Sequence, residues 1–167
     1  MSGTAQSTPD PENTIHLVLT NGRVVIELFP DLSPKTVERI KTLAREGFYD
    51  NTPFHRVIEG FMAQGGDPTG TGTGGSKLPD LPAEFTTKRN FLRGTCGMAR
   101  SAHPDSGNSQ FYIMFAPAPH LDGQYTIWGQ VVEGMEHVDA IKRGAGGSGT
   151  VRDPDRILKL QVAADAS

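Results

Sequence analysis

The residues best placed to do chemistry lie in the middle of the chain. Phe54-His55-Arg56-Val57-Ile58 reads as a short strand whose alternation puts Arg56 on the same face as Phe54 and Ile58. A cation flanked on its own face by apolar groups is costly unless a partner or a water-filled site receives it. Two readings stay open: an arginine aimed into a site, or an edge arginine whose stem covers apolar surface. In Ser109-Gln-Phe-Tyr-Ile-Met-Phe115, alternation places Phe111, Ile113 and Phe115 on one face and Gln110, Tyr112 and Met114 on the other. The first set is a core face. The second mixes an amide with adaptable apolar groups, as a ligand groove or a solvent face would.

Other constellations fall away on chemical grounds. Gly70-Thr-Gly-Thr-Gly-Gly75 fits G-x-G-x-x-G, but that pattern binds dinucleotides only between a strand and a helix. Here Lys77-Leu-Pro79 and Leu81-Pro82 follow, where no helix starts cleanly, so these glycines read as tight loop geometry. The five histidines (His16, His55, His103, His120, His137) show no metal-ligand spacing, and no cofactor is expected. Ser101, Ser106 and Ser109 lack the setting of a hydrolase elbow. A small hydrolase built on His55 or His103 would need an activated nucleophile, and none is recognisable. Cys96, alone in an apolar stretch, reads as a buried inert thiol that can form neither an internal disulfide nor a cysteine-based metal site.

The elements that must hold these residues are short. Ile15, Leu17 and Leu19 alternate, as do Val24, Ile26 and Leu28 after Asn21-Gly22, which predicts a hairpin. A helix should follow, capped by Ser33, with Pro34 in its first turn, Val37, Ile40, Leu43 and Ala44 on one face, and Gly47-Phe48 closing it as a Schellman motif. Strands are expected at 54–58, 61–64, 94–99, 109–115, 125–132 and 156–163, with a second helix over 134–142. Many short strands and two helices make the chain mainly β. Residues 1–13 and 164–167 read as tails around a single domain at 14–163.

Bulk properties bound the function. In 167 residues the formal net charge is −3, from 16 Lys and Arg against 19 Asp and Glu, with no basic block to neutralise phosphates, so no nucleic acid is expected. No apolar run reaches membrane-spanning length and no leader is apparent, which points to a soluble cytoplasmic protein.

Five segments occur together, in order: Phe54-His-Arg56, Gly60-Phe-Met-Ala-Gln-Gly-Gly-Asp67, Gly72-Thr-Gly-Gly75, Ser109-Gln-Phe111 and Leu121-Asp-Gly123. In these the chain resembles the cyclophilins, the cyclosporin-sensitive class of peptidyl-prolyl cis-trans isomerase, from about residue 14 to 163. The resemblance implies a closed eight-stranded antiparallel barrel capped by two helices, with the groove on its outer face. It implies that Arg56 is catalytic, with Gln64, and that Gln64 and Gln110 hold the substrate backbone with main-chain help near Ala99. Phe61, Met62, Tyr112 and Leu121 would line a proline pocket, bordered by His55, His120 and Tyr125.

This chain departs from the better-known members: Tyr112 stands for phenylalanine, His120 for tryptophan, Tyr125 for histidine and Arg100 for asparagine, variants that resemble bacterial members. The implied activity is rotation about X–Pro bonds in folding polypeptides, by a monomer. Its partners would be proline-containing polypeptides and, with reduced affinity, cyclosporin. The rival reading is a proline-peptide binding module or chaperone with little turnover.

Overall fold

The computed structural model describes residues 10–166. Of the expected tails, residues 1–9 and 167 lie outside that range. Pro11–Asn13 form a 3-10 turn capped by Asp10, and its Glu12 pairs with Lys41 at 2.9 Å and Arg45 at 3.0 Å.

The first two strands, β1 (Thr14–Leu19) and β2 (Gly22–Leu28), form the expected hairpin, but Leu19 pairs with Gly22. The two-residue turn is therefore Thr20-Asn21, one position earlier than Asn-Gly suggests. Helix α1 (Pro34–Arg45) buries Val37, Ile40, Leu43 and Ala44 as predicted. It closes as predicted too: Phe48 N–H reaches Leu43 O at 3.0 Å, and Gly47 N–H reaches Ala44 O at 3.1 Å.

The cap at its start is different. Ser33 is fully buried and donates to Ile127 O at 2.9 Å. The free N–H groups of Lys35 and Thr36 are accepted instead by the distant Glu84 carboxylate, at 3.1 and 2.8 Å. A buried carbonyl left unpaired would cost more than a helix end that another residue can reach.

After α1 come β3 (Arg56–Ile58), β4 (Met62–Gly65), β5 (Thr95–Met98), β6 (Phe111–Met114), β7 (Ile127–Glu133), α2 (Met135–Asp139) and β8 (Lys159–Val162). The second helix is shorter than expected because Lys142 N–H leaves it for the Asp155 carboxylate at 2.8 Å. The eight strands form one antiparallel sheet in the order β3-β4-β6-β5-β7-β2-β1-β8, curled by irregularities at Val25/Ile26 and Cys96/Gly97.

The sheet does not close, which corrects the expected closed barrel. β3 and β8 are its edges, and across the gap residues 51–57 and 149–157 are joined by scattered backbone hydrogen bonds and isolated bridges, Pro53 to Arg156 and Arg56 to Thr150, rather than by a ladder. Pro53 and Pro154 have no N–H to give a ladder, so a continuous strand pair cannot form there. The result is a mainly β half-barrel with two helices.

Both faces of the curled sheet are buried near its middle. One carries the main core, including Ile15, Ile26, Ile40, Phe111, Ile113 and Trp128. On the other, Tyr112 and Met114 join Met62, Phe91, Leu121 and Ile127 under the loops that cross it. The second face of β6 is thus not solvent-exposed: Met114 is fully buried in a second, smaller core, and Tyr112 at that core's edge borders a groove. Cys96 is fully buried in the main core, and that burial pushes its thiol up, away from reactivity.

Candidate active site

Strand β3 is short enough that its alternation covers three residues. Val57 is fully buried in the core, while Arg56 and Ile58 face the other way. Phe54, fully buried with Val57, does not share the arginine's face as expected, because it precedes the paired strand and lies outside its alternation. The pairing of β3 with β4 sets Arg56 opposite Gln64, and the pairing of β4 with β6 sets Gln64 opposite Tyr112.

These registers assemble a row of polar side chains. Arg56 donates through Nη1 to Gln64 Oε1 at 3.3 Å and through Nε to Ser148 O at 3.0 Å. Gln64 Nε2 donates to Gln110 Oε1 at 3.0 Å, and Gln110 Nε2 donates to Gly72 O and Gly74 O, both at 2.9 Å. The guanidinium has no carboxylate partner among the described residues. It is held by neutral acceptors and keeps its full charge for the groove.

Beside this row lies a pocket of about 140 Å³ lined by Arg56, Phe61, Met62, Gln64, Ala99, Arg100, Tyr112, Leu121 and Tyr125. Its apolar walls come from four separate segments. Met62 is on β4, Tyr112 on β6, Leu121 ends a 3-10 turn at Pro119–Leu121, and Tyr125 meets Tyr112 edge-on at 5.9 Å. The Tyr112 ring stacks on Phe91 and is 5% exposed. Its buried hydroxyl has no partner among the described residues, and that burial, then Tyr125, pushes the phenol above its ordinary range. It stays neutral at the pocket wall. An arginine beside a small apolar pocket can bind a compact apolar ring and offer hydrogen bonds to a polar atom attached to it.

Other expected residues sit differently. His55 is buried with its ring beside Gly72, its Nδ1 has no partner among the described residues, and it lines no wall of the pocket. Burial pushes its imidazole below the ordinary range, so it is neutral. His120 is exposed at the rim, its ring 5.7 Å from Phe61. Gln110 lines a neighbouring cavity of about 580 Å³ that shares Gln64, Ala99 and Arg100 with the small pocket. The Ala99 N–H is taken by Gln110 O at 2.9 Å, so only its carbonyl can serve an incoming chain.

Arg100, read from sequence only as a variant position, is a wall residue. Its Nε and Nη2 donate to Gln124 O at 3.1 and 2.8 Å, and its guanidinium lies over the Tyr125 ring at 4.5 Å. Among the described residues no three His, Cys, Asp or Glu side chains group as a metal site.

A family model described as "Cyclophilin type peptidyl-prolyl cis-trans isomerase/CLD" matches residues 14–162. The chain belongs to the cyclophilin family. It is a cyclophilin-type peptidyl-prolyl cis-trans isomerase. It is 54% identical, across 95% of its length and 87% of the relative's, to a Brucella suis biovar 1 protein named "Probable peptidyl-prolyl cis-trans isomerase". It is 42% identical to "Peptidyl-prolyl cis-trans isomerase B" of Bacillus subtilis, over 78% of this chain and 92% of that one. Among solved structures, cyclophilin AquaCyp293 from Hirschia baltica covers the whole chain and 83% of its own length, with a TM-score of 0.85 and 26% identity. A Cryptosporidium parvum cyclophilin, crystallised in the presence of the dipeptide Ala-Pro, gives a TM-score of 0.81 at 30% identity, with 89% of this chain and 98% of that one covered.

Proposed function

We propose that this cyclophilin binds the proline ring in the 140 Å³ pocket and that Arg56 carries the catalysis. The supporting observation is a guanidinium at the pocket's edge that is held by two neutral acceptors, Gln64 Oε1 and Ser148 O, and has no carboxylate partner among the described residues. Rotation about a peptide bond faces a barrier of ~18–20 kcal/mol, because the nitrogen lone pair is conjugated into the carbonyl. Twisting the bond localises that lone pair on the proline nitrogen. A donor aimed at this nitrogen interacts more strongly with the twisted state than with either planar state, and that difference accelerates rotation. Phe61, Met62, Tyr112 and Leu121 fix the ring. Gln64, Gln110 and the carbonyl of Ala99 border the path of the acyl side, which turns. His120 and Tyr125 form the rim, and His55 lies buried beside Gly72, off the pocket wall.

Its clients are proline-containing polypeptides whose folding waits on isomerisation, which takes roughly tens to hundreds of seconds unaided. We further propose that it works as a monomer in the cytoplasm, with residues 14–163 as the working domain, and that it binds cyclosporin with reduced affinity. No described helix is long and apolar enough to cross a membrane. The test is direct: catalytic amounts should accelerate cis–trans relaxation of a proline tetrapeptide. A wild-type protein that binds the peptide without accelerating relaxation would overturn the assignment of Arg56.

A further inference from the structure

The loop that resembles a phosphate cradle already holds an anion of its own. Asp67 is fully buried, and its carboxylate accepts the Thr69 hydroxyl at 2.7 Å and the backbone N–H groups of Thr69, Thr71, Gly72 and Gly74 at 2.8, 3.1, 2.6 and 3.1 Å. Gly70 and Gly72, with φ of 73° and 90°, supply the left-handed steps that turn successive N–H groups inward. With its N–H groups turned in, the loop turns two carbonyls out, Gly72 O and Gly74 O, and these receive both hydrogens of the Gln110 amide.

That detail fixes more than one side chain. Two acceptors at one end of Gln110 force its nitrogen to that end and its oxygen toward Gln64. The Gln110 oxygen then draws the nitrogen of Gln64, which turns the Gln64 oxygen toward Arg56 Nη1. Each amide has one orientation only because the loop presents carbonyls, and the loop presents carbonyls only because Asp67 collects its N–H groups.

We propose that Asp67 is a positioning residue of the isomerase, setting the orientation of Arg56 through the loop at 67–75, Gln110 and Gln64. This rests on the reading of Arg56 as the catalytic donor. Asp67 touches no substrate. Its carboxylate is buried against the loop, and the titratable side chain that feels its charge is His55.

A double-mutant cycle tests it on the tetrapeptide assay, with thermal melting of each variant as a check on folding. Asp67→Asn keeps the shape but places a donor among donors. It should lower kcat/KM about tenfold, chiefly in kcat, while the remaining protein melts cooperatively. Gln110→Ala should cause a comparable loss. Because both act through one path, the double variant should lose about tenfold, against about a hundredfold for independent sites. Multiplicative losses, or normal turnover in Asp67→Asn, would overturn the proposal. If Asp67→Asn does not fold, Thr69→Val removes one hydroxyl bond to the carboxylate and enters the same cycle. Arg56→Ala separates the two readings: normal turnover there defeats the catalytic assignment itself, whereas a loss there with none in Asp67→Asn defeats only the positioning role.

Discussion

Arg56 and Gln64 are register partners across β3 and β4, and the guanidinium donates to the amide oxygen at 3.3 Å. The strand pair therefore sets the arginine beside the amide, while Ser148 O and the loop that orients Gln110 fix where each of them points. If its guanidinium stabilises the twisted amide, Arg56→Ala should lower kcat/KM by about 10²–10³, or ~2.7–4 kcal/mol, the usual loss for one preorganised donor. Arg56→Lys keeps the charge but loses the planar fork and should recover only part of it. Both variants should fold, since the side chain lies outside the core. Retained turnover combined with unfolding would mark Arg56 as a structural cation.

His120 lies at the rim with its ring 5.7 Å from Phe61, exposed on its outer side. Replacing it with tryptophan adds a larger apolar face and an indole donor at the groove's edge. His120→Trp should therefore tighten cyclosporin binding in a calorimetric titration and leave tetrapeptide kcat/KM close to wild type. Unchanged drug affinity would place the deficit at another departure, Arg100 or Tyr125.

Legibility from sequence followed the range of the forces involved. The hairpin, α1 and the two faces of β6 could be read because they depend on alternation and helical spacing within a few residues of each other. The Ser33 cap could not, since its hydroxyl is drawn to Ile127 and its place taken by Glu84, both far away in sequence. Barrel closure failed for a similar reason: whether residues 51–57 meet 149–157 as a ladder depends on a long-range register that Pro53 interrupts. The roles of Arg56 and Gln64 entered through family resemblance, as spacing alone left the arginine ambiguous. A local signal for the Asp67 cradle was present, an aspartate followed by Thr69 and Thr71 among glycines, the composition of a turn closed by a side-chain oxygen.

The Asp67 carboxyl predicts an acid transition. Burial alone would push it up, but the Thr69 hydroxyl and the N–H groups of Gly74, Thr69 and Gly72 outweigh that and hold it at about 2. Its unfolded counterpart titrates near ~3.9. The folded state thus binds its proton later, so the stabilisation is complete above about pH 4 and lost as pH falls toward 2, on the order of 2 kcal/mol. His55, neutral through burial, adds its own loss below about pH 6.5, where an unfolded imidazole takes up a proton. Melting temperature against pH should fall in both windows for the wild type, and Asp67→Asn should flatten only the lower one. A wild-type curve that is level between pH 4 and 2 would contradict the cradle.

Glu84 supplies the cap of α1 from 48 residues away, through Thr36 N–H and the Thr36 hydroxyl, both at 2.8 Å. Glu84→Ala should lower stability by about 1 kcal/mol, the usual cost of losing a helix cap. The measurement is the urea midpoint at constant slope. An unchanged midpoint would mean that water caps the helix as well as the carboxylate does.

Gly97 is the register partner of Tyr112 across β5 and β6. The Tyr112 ring lies across this glycine: a Cβ there would stand 2.6 Å from Tyr112 Cζ and 2.7 Å from both Tyr112 Oη and Phe91 Cε1. No real side-chain carbon tolerates such contacts, and Phe91, stacked against Tyr112 and itself almost wholly buried, cannot retreat. In Gly97→Ala the tyrosine ring must therefore lift off the strand, and the space open to it is the 140 Å³ pocket it walls. Overpacking of this kind costs roughly 1–3 kcal/mol. The functional effect should exceed the stability effect, because the displaced ring occupies the volume proposed for proline: KM for a proline tetrapeptide should rise more than kcat falls. The double variant Gly97→Ala/Tyr112→Leu removes the clashing ring and should regain most of the lost melting temperature. If Gly97→Ala alone melts and binds peptide like wild type, Tyr112 has another place to go and does not form the pocket wall.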